Sequence, residues 1–182
     1  MDDDAALGAE LAAMVAGARR RAVRDGDRQI DTAHLLHSLL EHDPESRAAV
    51  GDPQRLARLL GYLVQRSIGY GLRWQGSVED SGAIALVPAP AGPAGPDTRD
   101  APGWSPAAAT AMAGAREYAR RRGGPRVVGT DLLAALTADP GSRAVEVLER
   151  AGIPARGLNS RILDARTETG AEEYAGGSGA SC

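Results

Sequence analysis

Three residues at helical spacing, Asp31, His34 and His37, are the first candidates for chemistry in this sequence. Imidazole and carboxylate groups on one side of a helix start are potential zinc ligands, but a zinc site needs a third and usually a fourth ligand. The sequence has no internal cysteine, since Cys182 is its last residue, and it has no HExxH pattern. We therefore expect structural histidines, no bound metal and no cofactor.

The basic residues exclude two classes of enzyme. All 21 of them are arginines, and the chain contains no lysine. A Walker-type ATPase needs a lysine to reach the nucleotide phosphates, and a Schiff-base enzyme needs a lysine amine. Serine, histidine and aspartate are present, but none stands in a GxSxG or similar nucleophile context. The sequence predicts that the protein is not an enzyme.

Two runs of three arginines, at 19–21 and 120–122, could contact nucleic acid. Both runs end predicted helices in a chain of net charge −3, so complementarity with the helix dipole explains them more simply. A DNA-binding regulator remains an alternative, and it would bind DNA in a salt-sensitive way. No apolar run reaches transmembrane length and the start, MDDDAAL, is unlike a signal peptide, so we expect a cytoplasmic protein without membrane or nucleic-acid partners.

The first part of the chain has the periodicity of amphipathic helices. Apolar residues recur at helical spacing over 7–23, and a second helix follows in IDTAHLLHSLLEHDP, where Asp31 or Thr32 is a good N-cap. A short helix is expected over 45–50, and Pro53 opens a longer one. The order of helices and stop signals then returns after Ser105, which caps a helix that Pro106 begins.

The hexapeptides DPESRA (43–48) and DPGSRA (139–144) mark this internal repeat. Each Asp-Pro is expected to close the Leu-rich second helix of a unit, and each SRA to start the third. We predict an all-α fold of two pseudo-twofold-related four-helix repeats, at 5–68 and 104–167. A Pro/Gly-rich insertion at 69–103, with a possible β-hairpin around 79–87, separates them, and 168–182 is expected to be a flexible tail.

The repeats resemble the Clp N-terminal repeat domain, which precedes the ATPase rings of Clp-type protein unfoldases. The matching stretches are IDTAHLLHSLL (30–40), VGTDLLAAL (128–136) and SRAVEVLERAGI (142–153). The likeness covers nearly the whole chain apart from the insertion and the tail. Its motifs identify architecture better than activity.

The resemblance implies a site for phosphorylated arginine, in which a hydroxyl at the start of a repeat's first helix is paired with an acidic residue of the GTEH element. By position, the second repeat offers Ser105 and Asp131, with Thr130 as the local cap. At the same positions the first repeat has Gly8 and Ala33, which have neither a hydroxyl nor a carboxylate to bind this ligand. The alternative is that Ser105 and Asp131 only cap helices.

The resemblance therefore implies a non-catalytic protein- or peptide-binding module. It would act as an adaptor, a regulator or a ligand-sequestering decoy in Clp proteolysis. Its expected partners are a Clp unfoldase, the adaptors or substrates of that unfoldase, or a cyclic-peptide ligand. The competing interpretation is a small-molecule-binding protein or an enzyme on the same helices, with the insertion as a lid.

Overall fold

The computed structural model describes residues 8–67, Glu79 and residues 103–176, and it describes the side chains of residues 8–65, Glu79 and residues 103–165. The β-hairpin expected around 79–87 lies outside these ranges except for Glu79, as do residues 5–7 of the first repeat. Among the described residues, no helix is both long enough and apolar enough to span a membrane.

Eight helices form the described part of the fold, four from each repeat. The first repeat contains α1 (Ala9–Asp25), α2 (Thr32–His42), α3 (Pro44–Val50) and α4 (Pro53–Ser67). The second contains α5 (Pro106–Arg121), α6 (Gly129–Leu136), α7 (Arg143–Arg150) and α8 (Ala155–Gly176). The predicted all-α architecture of two four-helix units is confirmed.

Local cap residues explain where most of these helices begin. The Asp31 side chain accepts a hydrogen bond from the backbone of His34 at the start of α2, and Asp43 does the same for Ser46 in α3. Ser105 and Ser142 cap α5 and α7 in the same way. These short polar side chains satisfy backbone N–H groups that have no partner inside the helix.

One strand pair, which the sequence did not indicate, joins the two repeats. β1 (Gln29–Ile30) and β2 (Gly103–Trp104) are parallel, with Ile30 opposite Trp104. The backbone N–H of Ser105 then donates to the carbonyl of Ile30 at 3.0 Å. The start of α5 is thereby fixed beside the start of α2, in the other repeat.

The core is built from aliphatic and small side chains. Leucines of α2 and α6 are buried together with alanines of α1 and α5. Helices of different repeats contact one another directly, and α2 contacts α5, α6 and α7. Since alanine has a small side chain, the helices can approach closely without aromatic residues to fill the space between them.

Helix α8 continues to Gly176 and so includes the first part of the segment 168–182 that was expected to be a flexible tail. The segment AEEYA (171–175) consists mainly of residues with good helix propensity, which favours extending the helix past Gly170. Residues 177–182 lie outside the described ranges.

Helix α1 approaches α2 closely at Gly17. A Cβ atom at this position would overlap the hydroxyl of Ser38, which itself donates to the backbone carbonyl of Met14 at 2.7 Å. Glycine is therefore required here by the neighbouring helix.

We expect Gly17→Ala to lower the free energy of unfolding by about 1–3 kcal/mol, because Ser38 must move from its hydrogen bond to make room. Urea denaturation followed by circular dichroism measures this change. Gly61→Ala is the matched control, since Gly61 lies in α4 with nothing near its missing Cβ. The control should gain roughly 0.5–1 kcal/mol from helix propensity. Equal stabilities of the two variants would contradict the close approach.

His37 is a buried residue of α2 whose protonation is disfavoured. Burial and the positive charge of Arg21 together lower its pKa to about 4, against the opposing effect of Glu41. In the unfolded chain the ordinary value is 6.5. Between these values the unfolded state binds a proton that the folded state does not, so stability is lost as the pH falls.

We expect the wild type to lose up to about 3 kcal/mol of stability through this residue as the pH drops from 6.5 to below 4. Urea denaturation of the wild type and of His37→Gln over this pH range isolates the contribution, because other groups titrate in both proteins. Parallel pH profiles would refute it.

Candidate functional site

The carboxylate of Glu79 lies at a point where three helices begin. It is 4% exposed and accepts hydrogen bonds from the backbone N–H of Thr32 at 2.9 Å and of Arg143 at 2.7 Å. The hydroxyls of Thr32 and Ser105 also donate to it, the latter at 2.8 Å. We call these donors of Thr32, Ser105 and Arg143 the anion cradle.

The anion cradle combines the N-termini of helices from both repeats. Thr32 is the first residue of α2, Arg143 is the first residue of α7, and Ser105 is the N-cap of α5. Exposed N–H groups and the helix dipole favour a negative charge at such positions. The Thr32 hydroxyl also accepts from the N–H of Ala144 at 2.9 Å, so the two helix starts are linked directly.

The predicted site residues fall into two separate places. Ser105 is at the N-terminal end of α5, where its oxygen accepts from Ala108 and its hydroxyl donates to Glu79. Asp131 is buried at the start of α6, where it accepts from the backbone of Val128 at 3.0 Å. The side chain of Arg122 also donates to Asp131, at 3.1 Å.

Arg122 is the C-cap of α5, so it and Ser105 are separated by a helix of 16 residues, about 24 Å long. The structure therefore does not bring Ser105 and Asp131 together. Thr130 is half-buried beside Asp131 in α6. The start of the first helix of each repeat instead lies near the start of the second helix of the other repeat. Ser105 lies beside the start of α2, and a Cβ at Gly8 would lie 3.7 Å from Arg126, just before α6. The internal repeat could have indicated this exchange if its twofold relation had been applied to the site.

His34 forms a second polar cluster, between the end of α1 and the start of α2. Its Nε2 lies 3.6 Å from Asp25 Oδ2 and 3.4 Å from Asp27 Oδ2, and its Nδ1 lies 2.9 Å from Asp31 Oδ1. Burial disfavours the charged imidazole, but hydrogen bonding to the three aspartates outweighs this and raises its pKa to about 10. Of the residues named by sequence, Asp31 and His34 are in this cluster, whereas His37 lies near Glu41.

A third feature is an open apolar groove between α5, α6 and the loop that precedes α7. Its volume is about 580 Å³, and small side chains form most of its wall. Glu117, Arg121 and Asp139 also line it. At one end it includes Thr32 and Ser142, so it adjoins the anion cradle. Other residues that line the groove are Thr32, Ala107, Thr110, Ala111, Gly114, Ala135, Leu136, Pro140, Gly141 and Ser142.

Comparisons with known proteins identify the fold. No family model matches the sequence, and no curated protein matches it. Among solved structures, the N-terminal domain of the caseinolytic protease associated chaperone ClpD from Arabidopsis thaliana has a TM-score of 0.59 at 17% identity, covering 88% of this chain and 94% of that one.

Two further structures agree. The Hsp104 N-terminal domain from Candida albicans has a TM-score of 0.61 at 11% identity, covering 88% of this chain and 91% of that one. A protein from structural investigations of a malarial protein secretion system has a TM-score of 0.61 at 16% identity, covering 90% and 97%. The described helices therefore have the fold of the N-terminal domains of Clp and Hsp104 chaperones.

Proposed function

We propose that this chain is a non-catalytic protein-binding module that docks a peptide segment of a partner protein in the apolar groove. The observation that carries the proposal is the groove itself, which is open, about 580 Å³ in volume and lined mostly by small residues. The likeness to Clp and Hsp104 N-terminal domains supports a partner from protein unfolding and proteolysis. The corresponding roles are adaptor, regulator or decoy, including sequestration of a cyclic peptide.

The chemistry of the groove favours a peptide with an aliphatic side chain. Ala107, Ala111 and Gly114 of α5 and Ala135 of α6 contribute small residues to the wall of the groove. A leucine-sized side chain that enters this space is removed from water, at a gain of about 1.5–3 kcal/mol. Main-chain and charged groups of the peptide remain near the rim residues Glu117 and Arg121.

Filling the groove should block docking. We expect Thr110→Trp, at an exposed lining position of α5, to weaken binding of a fluorescently labelled unfolded protein at least about tenfold, because the indole occupies the space of the incoming side chain. Fluorescence anisotropy measures the affinity.

Gln54→Trp is the control, because it adds the same side chain at an exposed position of α4 outside the groove. Equal binding by both variants would contradict docking in the groove. Recovery of a tightly bound small molecule from the purified protein, with no affinity for unfolded protein, would favour the alternative of a small-molecule-binding protein or enzyme.

The phosphoarginine site implied by the resemblance needs a revised form. We propose that the anion cradle, with Ser105 and Thr32, is where a ligand phosphoryl group binds, in competition with Glu79. Asp131 and Thr130 belong to the other place, where Arg122 supplies a guanidinium to the carboxylate. A phosphoryl group suits the cradle because helix N-termini and hydroxyls are donors to anions.

We expect Glu79→Ala to lower the stability of the fold by about 3 kcal/mol, since four donors lose a buried acceptor. We also expect free phosphoarginine to raise the melting temperature of this variant more than that of the wild type, because in the wild type Glu79 competes for the anion position. Differential scanning fluorimetry measures both effects.

Glu45→Ala is the matched control, because it removes an exposed glutamate from the first turn of α3. Its stability should stay close to that of the wild type. If Glu79→Ala is destabilised but phosphoarginine restores nothing, Glu79 is a structural acceptor only and the revised site is rejected. Docking in the groove would stand in that case.

A further inference from the structure

We propose that Asp139 makes the apolar groove selective for a peptide segment that carries a cationic side chain, lysine or arginine, beside its aliphatic one. This inference rests on the proposed docking function and names the class of segment that the groove accepts. Asp139 follows α6 and lines the groove in the loop that precedes α7. Within the described part of the chain its carboxylate has no counter-charge.

The carboxylate of Asp139 is held in place through one oxygen only. Its Oδ1 accepts a hydrogen bond from the backbone N–H of Gly141 at 2.9 Å. Its Oδ2 is removed from solvent and, among the described residues, accepts no hydrogen bond. An ionised oxygen that is removed from water without a donor or a counter-charge is disfavoured. A cation that a ligand brings into the groove therefore relieves this charge, and Coulomb attraction does so without direct contact with Oδ2.

The first repeat shows what this aspartate does elsewhere in the chain. Asp43 holds the same place in DPESRA that Asp139 holds in DPGSRA. The Oδ2 atom of Asp43 accepts from the backbone N–H of Ser46 at 3.0 Å and from its hydroxyl, and so caps α3. Ser142, which stands where Ser46 does, donates instead to the carbonyl of Leu136 and itself caps α7. The Oδ2 atom of Asp139 is therefore released from the capping that occupies its counterpart.

The two other charged residues among those that line the groove neutralise each other. The Nε atom of Arg121 lies 2.9 Å from Glu117 Oε1, and Arg120 also pairs with Glu117. An incoming peptide therefore meets a rim whose ion pairs are already formed. Asp139 supplies the unbalanced negative charge of the lining, so the groove is complementary to a cation.

Lysine and arginine suit such a groove in shape as well as in charge. Each has an apolar stem that can lie along a wall of small side chains while its charged head remains near a carboxylate. Partial exclusion of water by the groove strengthens the attraction relative to an open surface. A glutamate at the same position of the peptide would be repelled. The segment that fits best is therefore one with an aliphatic and a basic residue close together.

Three labelled peptides that differ at one position test this selectivity. Each contains one leucine in a glycine- and serine-rich background, with lysine, glutamine or glutamate close to it. At low salt we expect the wild type to bind the lysine peptide about fivefold more tightly than the glutamine peptide, and the glutamate peptide most weakly. Fluorescence anisotropy measures the three affinities. Asp139→Asn should remove the preference for lysine, because it removes the charge but keeps the oxygen that accepts from Gly141.

Asp52→Asn is the matched control. The Oδ1 atom of Asp52 also accepts from the backbone N–H two residues later, that of Gln54, at 2.8 Å, but Asp52 does not line the groove. This variant should keep the preference of the wild type. Circular dichroism establishes that both variants are folded.

The outcomes separate this inference from the docking function on which it rests. If the wild type binds the three peptides equally and Thr110→Trp blocks them all, docking in the groove stands and the selectivity is overturned. If Asp139→Asn and Asp52→Asn keep the same preference for lysine, the assignment to Asp139 is overturned. If Thr110→Trp leaves binding of the lysine peptide unchanged, docking in the groove itself fails, and the selectivity fails with it.

Discussion

The joining of the two repeats depends on the burial of one negative charge among helix starts. The carboxylate of Glu79 accepts from α2, from α7 and from the cap of α5, which belong to both repeats. Each donor would be a buried polar group without a partner if the carboxylate were absent. The parallel pairing of Ile30 with Trp104 holds the same helix starts together through the backbone. The interface between the repeats therefore combines an apolar centre with a polar tie at one end.

Ser105 and Asp131, which were expected to hold a ligand, each already have a charged partner within the chain. Ser105 binds the carboxylate of Glu79, and Asp131 binds the guanidinium of Arg122. The chain thus supplies both kinds of charged group that a phosphorylated arginine would bring, one at each end of α5. Any ligand at these positions must displace an internal partner, whereas the apolar groove beside α5 is open. A peptide in the groove would displace no internal partner, whereas a phosphoryl group in the anion cradle would have to displace Glu79.

Sequence signals between neighbouring residues were sufficient to predict most of the helices of the fold. Caps at Asp31, Ser105 and Ser142 and the Leu-rich faces depend on neighbours a few residues away, so the sequence predicted those helices and their order. Each DPxSRA hexapeptide lies where the second helix of its repeat has ended and the third begins, although α3 begins at the proline and α7 at the arginine. The crossed pairing of repeats, the burial of Glu79 and the aspartates around His34 depend on distant contacts. No periodicity in a single chain reveals such contacts.

The ties between repeats also set an order for folding during synthesis. Asp31 pairs with Arg143, and Thr32 pairs with Ala144, each across 112 positions of the chain. The start of α2 therefore lacks these partners until Arg143 and Ala144 have left the ribosome. Contacts of such long range are slow to form because the intervening chain must first be closed into a loop. The first repeat can form these contacts only after the second has been synthesised. A nascent chain that stops between the repeats exposes polar helix starts and the apolar face that the second repeat would cover.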